Sequence, residues 1–498
     1  MWGISSWPVG DSTKRSDHVM FASQELGERM NTRFLAAARA AAAGAVLLVL
    51  AGCAGQQAKR NAELDVALEA GSYRDAALIA ESRMDLEPPA VEGDLPEITY
   101  QPKQVLAHLE AGEAWRLAGD TERAVQHFDA AESALGDTDE NVGGRAAGKV
   151  GAALVNETLA TYVPSPAEAV LINYYKALIF WGNGEADLAR VELNRADDRT
   201  RRAVERYTKE IEKAQGEAAK GKNPNQTYDN PEVAGNINSH FPEMAQWAPY
   251  AEFVVPPATY LQALFLANSD VPSDMEKANE LYQRLGGIVG EHQALTQDRG
   301  SLEAGDICPE DDCIWVMVER SRGPQLVERK FSYPVFTGSS LVQVQMALPA
   351  LAPRFDPVFQ DCLIKYEGID QACDPFASME RVIQTEFQKR FPGIVTRSVV
   401  SAAAKAIAQD QVAQNAGLFG GLLAAVITDS ITTADVRMWR SLPGDFTLNR
   451  LRRNGSSELQ LHVGSQQLQL VLDKPGSQLV HVTALMPHLP PVVTIVSI

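Results

Sequence analysis

VLINYYKALIFWGNGEADLARVELNRADDR, residues 170–199, reads as two helices joined by a glycine turn, and it organises the first half of the chain. Ala177 and Phe180 lie on the first helix. Gly184 stands five residues before Ala189, with Leu193 and Ala196 at the fourth and seventh positions after that alanine. Residues at this spacing share one face of a helix of 3.6 residues per turn. The same offsets recur upstream. LEAGEAWRL (109–117) supplies Gly112 and Trp115, and LAGDTERAVQHFDAA (117–131) supplies Gly119, Ala124, Phe128 and Ala131. EAGSYRDAALIA (69–80) places Gly71 five residues before Ala76, and a weaker copy has Ala263, Ala278, Tyr282 and Leu285 with extra residues around Pro272. Small residues at 112, 124, 177 and 189 allow two helices to approach closely, while Trp115, Phe128 and Phe180 fill the space between neighbours. Glycine in the turn permits the left-handed backbone that a tight connection needs.

These offsets resemble the tetratricopeptide repeat, which implies an all-α array of helical hairpins over residues 61–300. Superhelices of that kind offer a concave face to extended segments or helices of partner proteins. Between the third and fourth copies, KNPNQTYDNPEVAGNINSHFPEMAQWAPYAEFVVPP (222–257) breaks the pattern, being too polar and proline-rich for a helix hairpin. Loops this long inside a compact array are often functional. Trp247, Tyr250 and Phe253 are therefore candidate partner contacts, with packing inside the array as the alternative.

After about residue 310 the period changes from helical to alternating. CIWVMVERSRGPQLVERKFSYPVF (313–336) reads as a hairpin turning at Ser321 to Pro324, and LVQVQMALP as a further strand. Helical spacing returns after Phe376. The tail then offers the short strands ELQLHV, QLQLVL, LVHVTAL and VVTIVSI. The expected fold class is α+β: the helical repeat array, followed over 301–498 by a mostly antiparallel β-rich domain with inserted helices.

The N-terminal text sets the compartment. MNTRFLAAARAAAAGAVLLVLAGC (30–53) places Arg33 and Arg39 before an apolar run ending in small residues, the form of a secretory signal peptide over 1–52 with Met30 as the working start. Leu50, Ala51 and Gly52 precede Cys53 as a lipobox does, so Cys53 is the expected lipidation site and first mature residue, with 53–60 as an anchored linker. The purely apolar stretch after Arg39 has 13 residues, whereas a membrane span needs about 20. Ala54 in place of an aspartate favours the outer membrane by the enteric sorting rule. A net charge of −19 argues against nucleic acid, which needs a basic surface. Cys308, Cys313, Cys362 and Cys373 follow in an oxidising compartment, where proximity favours the pairs 308 with 313 and 362 with 373.

No catalytic, metal or cofactor pattern emerges. The eight histidines show no H-E-x-x-H spacing, and no G-x-S-x-G elbow is present. Asp429, Asp435, Arg437 and Trp439 lie close together in TDSITTADVRMWRSLP (428–443), where a buried Arg437 paired with one of these aspartates reads as a staple fixing a turn, with a functional site as the alternative. The order of parts resembles a family of largely uncharacterised proteobacterial lipoproteins in which tetratricopeptide-like helices precede a β-rich domain. The matching text is residues 169–199, VERSRGPQLVERKFSYPVFTGSSLVQVQMALPAL (318–351) and TTADVRMWRSLP (432–443). That resemblance implies location and architecture and carries no catalytic residues. The expected function is a lipid-anchored, periplasm-facing scaffold whose repeats hold another envelope protein. The alternatives are cell-wall recognition or catalysis by the β-rich domain, and membership of a surface or secretion assembly.

Overall fold

The computed structural model describes residues 61–87, 94–99, 103–140, 161–219, 230–241, 248–305, 312–336, 341–403 and 433–498, with Lys59, Tyr228, Ile307, Cys308 and Ala406. Two compact units are distinguished, Met1–Ala62 and Glu63–Ile498, and the second is described below. Cys53, the lipobox residues Leu50, Ala51 and Gly52, and Trp247 lie outside the described residues.

The first half folds as helical hairpins. α1 runs over 63–69 within this unit, followed by α2 (Tyr73–Glu81), α3 (Val105–Leu117), α4 (Thr121–Glu140), α5 (Pro166–Gly182) and α6 (Ala186–Ala219). Three turns between partners are built alike. Gly71, Gly119 and Gly184 have φ of 71°, 85° and 83°. Each glycine N–H donates to the carbonyl three residues back, and the residue after it donates five back, as in Asp120 to Trp115 and Glu185 to Phe180. This geometry closes the preceding helix on a left-handed residue. α5 begins with a full capping box: Ser165 accepts from the Glu168 amide while Glu168 accepts from the Ser165 amide. α7 (Pro231–Ser239) is a nine-residue helix inside the segment expected to be loop, capped by Asn230. Then come α8 (Pro256–Ala267), α9 (Pro272–Val289) and α10 (Gln293–Glu303).

The β strands are β1 (Cys313–Arg322), β2 (Gln325–Phe336), β3 (Leu341–Ala352), β4 (Cys362–Tyr366), β5 (Ile369–Ala372), β6 (Pro375–Ser378), β7 (Pro443–Arg452), β8 (Glu458–Val463), β9 (Gln466–Val471), β10 (Gln478–Ala484) and β11 (Val492–Ser497). A helix, α11, runs over 379–403 between β6 and β7. Among the described residues they form a five-stranded sheet in the order β11-β10-β1-β7-β6, a β2-β3 pair and a four-stranded sheet β5-β4-β8-β9. All pairings are antiparallel except β1 with β10. The β1–β2 hairpin expected from sequence does not form. Both edges of β1 are taken by β10 and β7, so β2 leaves through the turn and pairs with β3 along twelve positions.

β1 is buried along nearly its whole length because it is the middle of three layers. Trp315 and Met317 point to the helices, in one core with Tyr174, Tyr175 and Trp439. Ile314, Val316 and Val318 point the other way, in a second core with Ile364, Leu459 and Leu461 of the four-stranded sheet. Strand alternation thus serves two apolar faces at once.

Candidate functional site

The helices facing the five-stranded sheet are α3, α5 and α8, whose residues are almost all buried. Their polar groups meet the sheet directly. Tyr174 Oη lies 2.9 Å from His481 Nε2, Tyr175 donates to Glu319 at 3.0 Å, and Arg116 donates to Thr483 at 3.2 Å. Arg116 also forks onto Glu113 at 2.6 and 2.7 Å and lies over the Tyr175 ring. Burial pushes the Glu319 carboxyl up to about 8 against the Arg116 charge. Burial, then the Arg116 charge, pushes His481 down to about 3. This seam is a polar lock sealed from solvent, with His481 0% and Glu319 1% exposed. The inner helix face that would hold a partner in an open superhelix is covered by the chain's own sheet. At the other end of the sheet, Asp298 on α10 plays the same joining role. It accepts from Tyr260 at 2.6 Å and Trp315 at 3.0 Å, with Arg450 at 3.3 Å.

A second buried chain runs from Glu81 through His127 Nε2 at 3.0 Å to His108 Nδ1, 3.0 Å from His127 Nδ1. Trp115 and Arg123 donate to the same Glu81 oxygen. Burial would raise this carboxyl, but the hydrogen bonds from His127, Arg123 and Trp115 outweigh it and hold it at about 2.

The residues singled out from sequence divide as follows. Cys308 with Cys313, and Cys362 with Cys373, stand at bonding distance, with Cα separations of 6.1 and 5.3 Å. Tyr250 and Phe253 are only 3% and 1% exposed. The Tyr250 Oη accepts from the Ser378 amide with Arg381 over the ring, so Tyr250 packs against β6 and the start of α11, while Phe253 stands edge-on to Tyr207 of α6. Arg437 forks onto Asp435 at 2.8 and 2.7 Å, a local pair beside the turn.

The structure also assembles a site that sequence reasoning missed, at the meeting of VERSRGP and MWRSLP. The end of β1 turns at Ser321, whose φ of 60° is unusual for a residue with a Cβ. Gly323 donates its N–H to Leu442 O at 2.6 Å, and a Cβ there would lie 2.7 Å from Pro443 O, so only glycine fits this approach. Around this clamp stand three arginines. Arg322 donates to Asp65 at 3.2 Å and Glu69 at 2.7 Å. Arg440 pairs with Asp65 through Nε at 2.9 Å and through Nη2, and its amide donates to Glu110 at 2.8 Å. Arg354 donates through Nε to Gly323 O at 2.8 Å, while its Nη1 and Nη2 are buried without a hydrogen-bond acceptor among the described residues. Burial, then the charges of Arg322 and Arg440, pushes Arg354 down to about 9. The segment before β7 is held by carboxylates of β2 and the helices: Glu328 of β2 accepts the Ala434 amide, Glu168 of α5 that of Trp439 and Glu110 of α3 that of Arg440, each at 2.8 Å. No local signal marks this node, because Asp65 lies 257 residues from Arg322 and 375 from Arg440.

The fold and site define an α+β protein in which helical hairpins are locked by buried polar groups onto a mixed sheet. Comparison with protein-family models, with curated proteins and with solved structures finds no match.

Proposed function

We propose that the protein is an envelope lipoprotein, anchored through Cys53 to the outer membrane and facing the periplasm, that acts as a scaffold for another envelope protein. The carrying observation is the likeness of the three hairpin turns at Gly71, Gly119 and Gly184, which supports the tetratricopeptide-like reading of the helices. The paired cysteines suit an oxidising compartment, and the lipobox text suits the anchor. Since α3, α5 and α8 are buried, the partner docks on the outward helices. There α6 keeps Leu188 and Val191, one turn apart, 46% and 44% exposed.

The test is in-cell crosslinking of the full-length acylated protein beside a Cys53→Ala form. A partner crosslinked to residues 61–300 and lost without the anchor supports the scaffold. Crosslinks confined to 301–498, together with binding of cell-wall fragments there, would replace it with recognition of the cell wall by the β-rich half.

A further inference from the structure

We propose that the arginine node of Arg322, Arg354 and Arg440 is a binding site for a phosphate-type oxyanion, with Arg354 as its principal ligand. Arg322 and Arg440 already share one carboxylate, Asp65, and Arg322 takes Glu69 as well. Among the described residues Arg354 has no such partner: its guanidinium is held at one point, Nε to Gly323 O, and both remaining nitrogens are buried without an acceptor. A guanidinium keeps its charge in any protein environment, so a desolvated one beside two others calls for an anion. Its planar fork matches an oxyanion bidentately. A phosphate carries up to about two negative charges and three acceptor oxygens, more than a carboxylate offers.

The frame around Arg354 is firm. Ser321 Oγ accepts the Asp356 amide at 3.0 Å, which ties the turn to the segment after β3. Gly323 and Gly444 both lie too close to backbone carbonyls to admit a larger residue without displacement, Gly444 having Arg320 O at 3.0 Å from a Cβ. Arg354 is half-buried as a residue while its Nη1 and Nη2 are buried, so binding of an anion requires the side-chain tip to turn toward solvent. Asp65 and Glu69 answer the charges of Arg322 and Arg440, which leaves Arg354 as the guanidinium of the node without a carboxylate hydrogen bond among the described residues. Glu110 does not fill the role: one oxygen accepts the Arg440 amide, and Oε2 is buried without a donor among the described residues.

Free phosphate and the phosphodiester of an anionic phospholipid headgroup share the oxyanion that a guanidinium fork recognises, and two arms of one experiment separate them. The full-length protein is titrated with inorganic phosphate at ionic strength matched by sodium chloride. Separately it is mixed with phosphatidylglycerol or phosphatidylcholine vesicles. Melting temperature and bound fraction are read for wild type, Arg354→Met and Arg354→Lys. Phosphate should raise the melting temperature of wild type, and Arg354→Met should weaken phosphate about tenfold or more through loss of the charge-assisted fork. Binding to phosphatidylglycerol vesicles that depends on Arg354, without a response to free phosphate, also supports the site and assigns the headgroup. A lack of response to either probe, or an equal response in wild type and Arg354→Met, overturns it. If Arg354→Met does not fold, Arg354→Lys decides. Unchanged phosphate affinity there overturns the site, because a lysine keeps the charge and loses the fork.

Discussion

Tyr174 on α5 and His481 on β10 meet at 2.9 Å between Oη and Nε2 although 307 residues separate them. Tyr174 also reaches Met317 Sδ at 3.2 Å and stands edge-on to Phe446, so one tyrosine touches three neighbouring strands of the sheet. The helical layer and the sheet thus satisfy each other's polar groups, and removing one member of a pair leaves the other buried and unpaired. Replacing Tyr174 by Phe removes the Nε2 partner and should cost about 1–3 kcal/mol. Adding His481→Leu should cost less than the sum of the two single changes, because the pair is lost only once. Urea denaturation of the four proteins measures this, and strict additivity would mean the contact contributes nothing as a pair.

Glu319 gives the seam a pH dependence with a definite sign. Its carboxyl sits at about 8 when folded against an ordinary 4.5, so the folded state holds a proton the unfolded chain has released. Stability from this group is full below the unfolded value and is lost as pH rises through about 8. Glu113, Arg116, Tyr174, Tyr175, His481 and Thr483 form its surroundings and are unchanged in Glu319→Gln. Between pH 6.5 and 8, where unfolded histidines have largely given up their protons, wild type should lose up to about 1.4 kcal/mol per pH unit more than Glu319→Gln. Equal slopes in the two proteins would show that Glu319 is not the group titrating.

The helical hairpins were legible because their signals are local. Gly71, Gly119 and Gly184 mark the turns, and Ala124, Ala177 and Ala189 mark the close faces, all within a few residues of one another. The fate of β1 was not. Its alternation of Ile314, Val316 and Val318 with Trp315 and Met317 is plain, but its partners β7 and β10 come from the far end of the chain. Strand pairing is a long-range choice that a turn such as Ser321 to Pro324 suggests and does not decide. Tyr250 and Phe253 take the packing alternative for a related reason: their stretch is polar and proline-rich, yet both rings are buried together with Val254 and Val255, against residues distant in the chain. The arginine node was invisible because Asp65, Arg322 and Arg440 are ordinary charged residues until the fold places them together.

The Cys362–Cys373 bridge closes the β4–β5 hairpin, where the Cys373 amide also donates to Cys362 O at 3.0 Å. Loop-closure entropy for a sequence separation of 11 gives about 3 kcal/mol, and the separation of 5 at Cys308–Cys313 gives about 2. The double change Cys362→Ala with Cys373→Ala should therefore destabilise more than the pair at 308 and 313. Denaturation midpoints without reductant test the order. If wild type and both double variants unfold at one midpoint, the bridges do not constrain the unfolded chain.

Gly112 on α3 and Gly235 on α7 separate packing from propensity within one protein. A Cβ on Gly112 would lie 2.8 Å from the Phe128 ring, and that ring cannot retreat because Tyr175 and Trp439 stand against it. Gly235 has nothing within 4 Å of the same construction among the described residues. Both are helical, so alanine gains up to about 1 kcal/mol of helix propensity at either site. At Gly112 overpacking of about 1–3 kcal/mol opposes that gain. Gly112→Ala should lower the urea midpoint and Gly235→Ala should raise it. A rise at both positions would mean that α3 and α4 are not in close contact at Phe128, and the small-residue reading of the hairpins would fall with it.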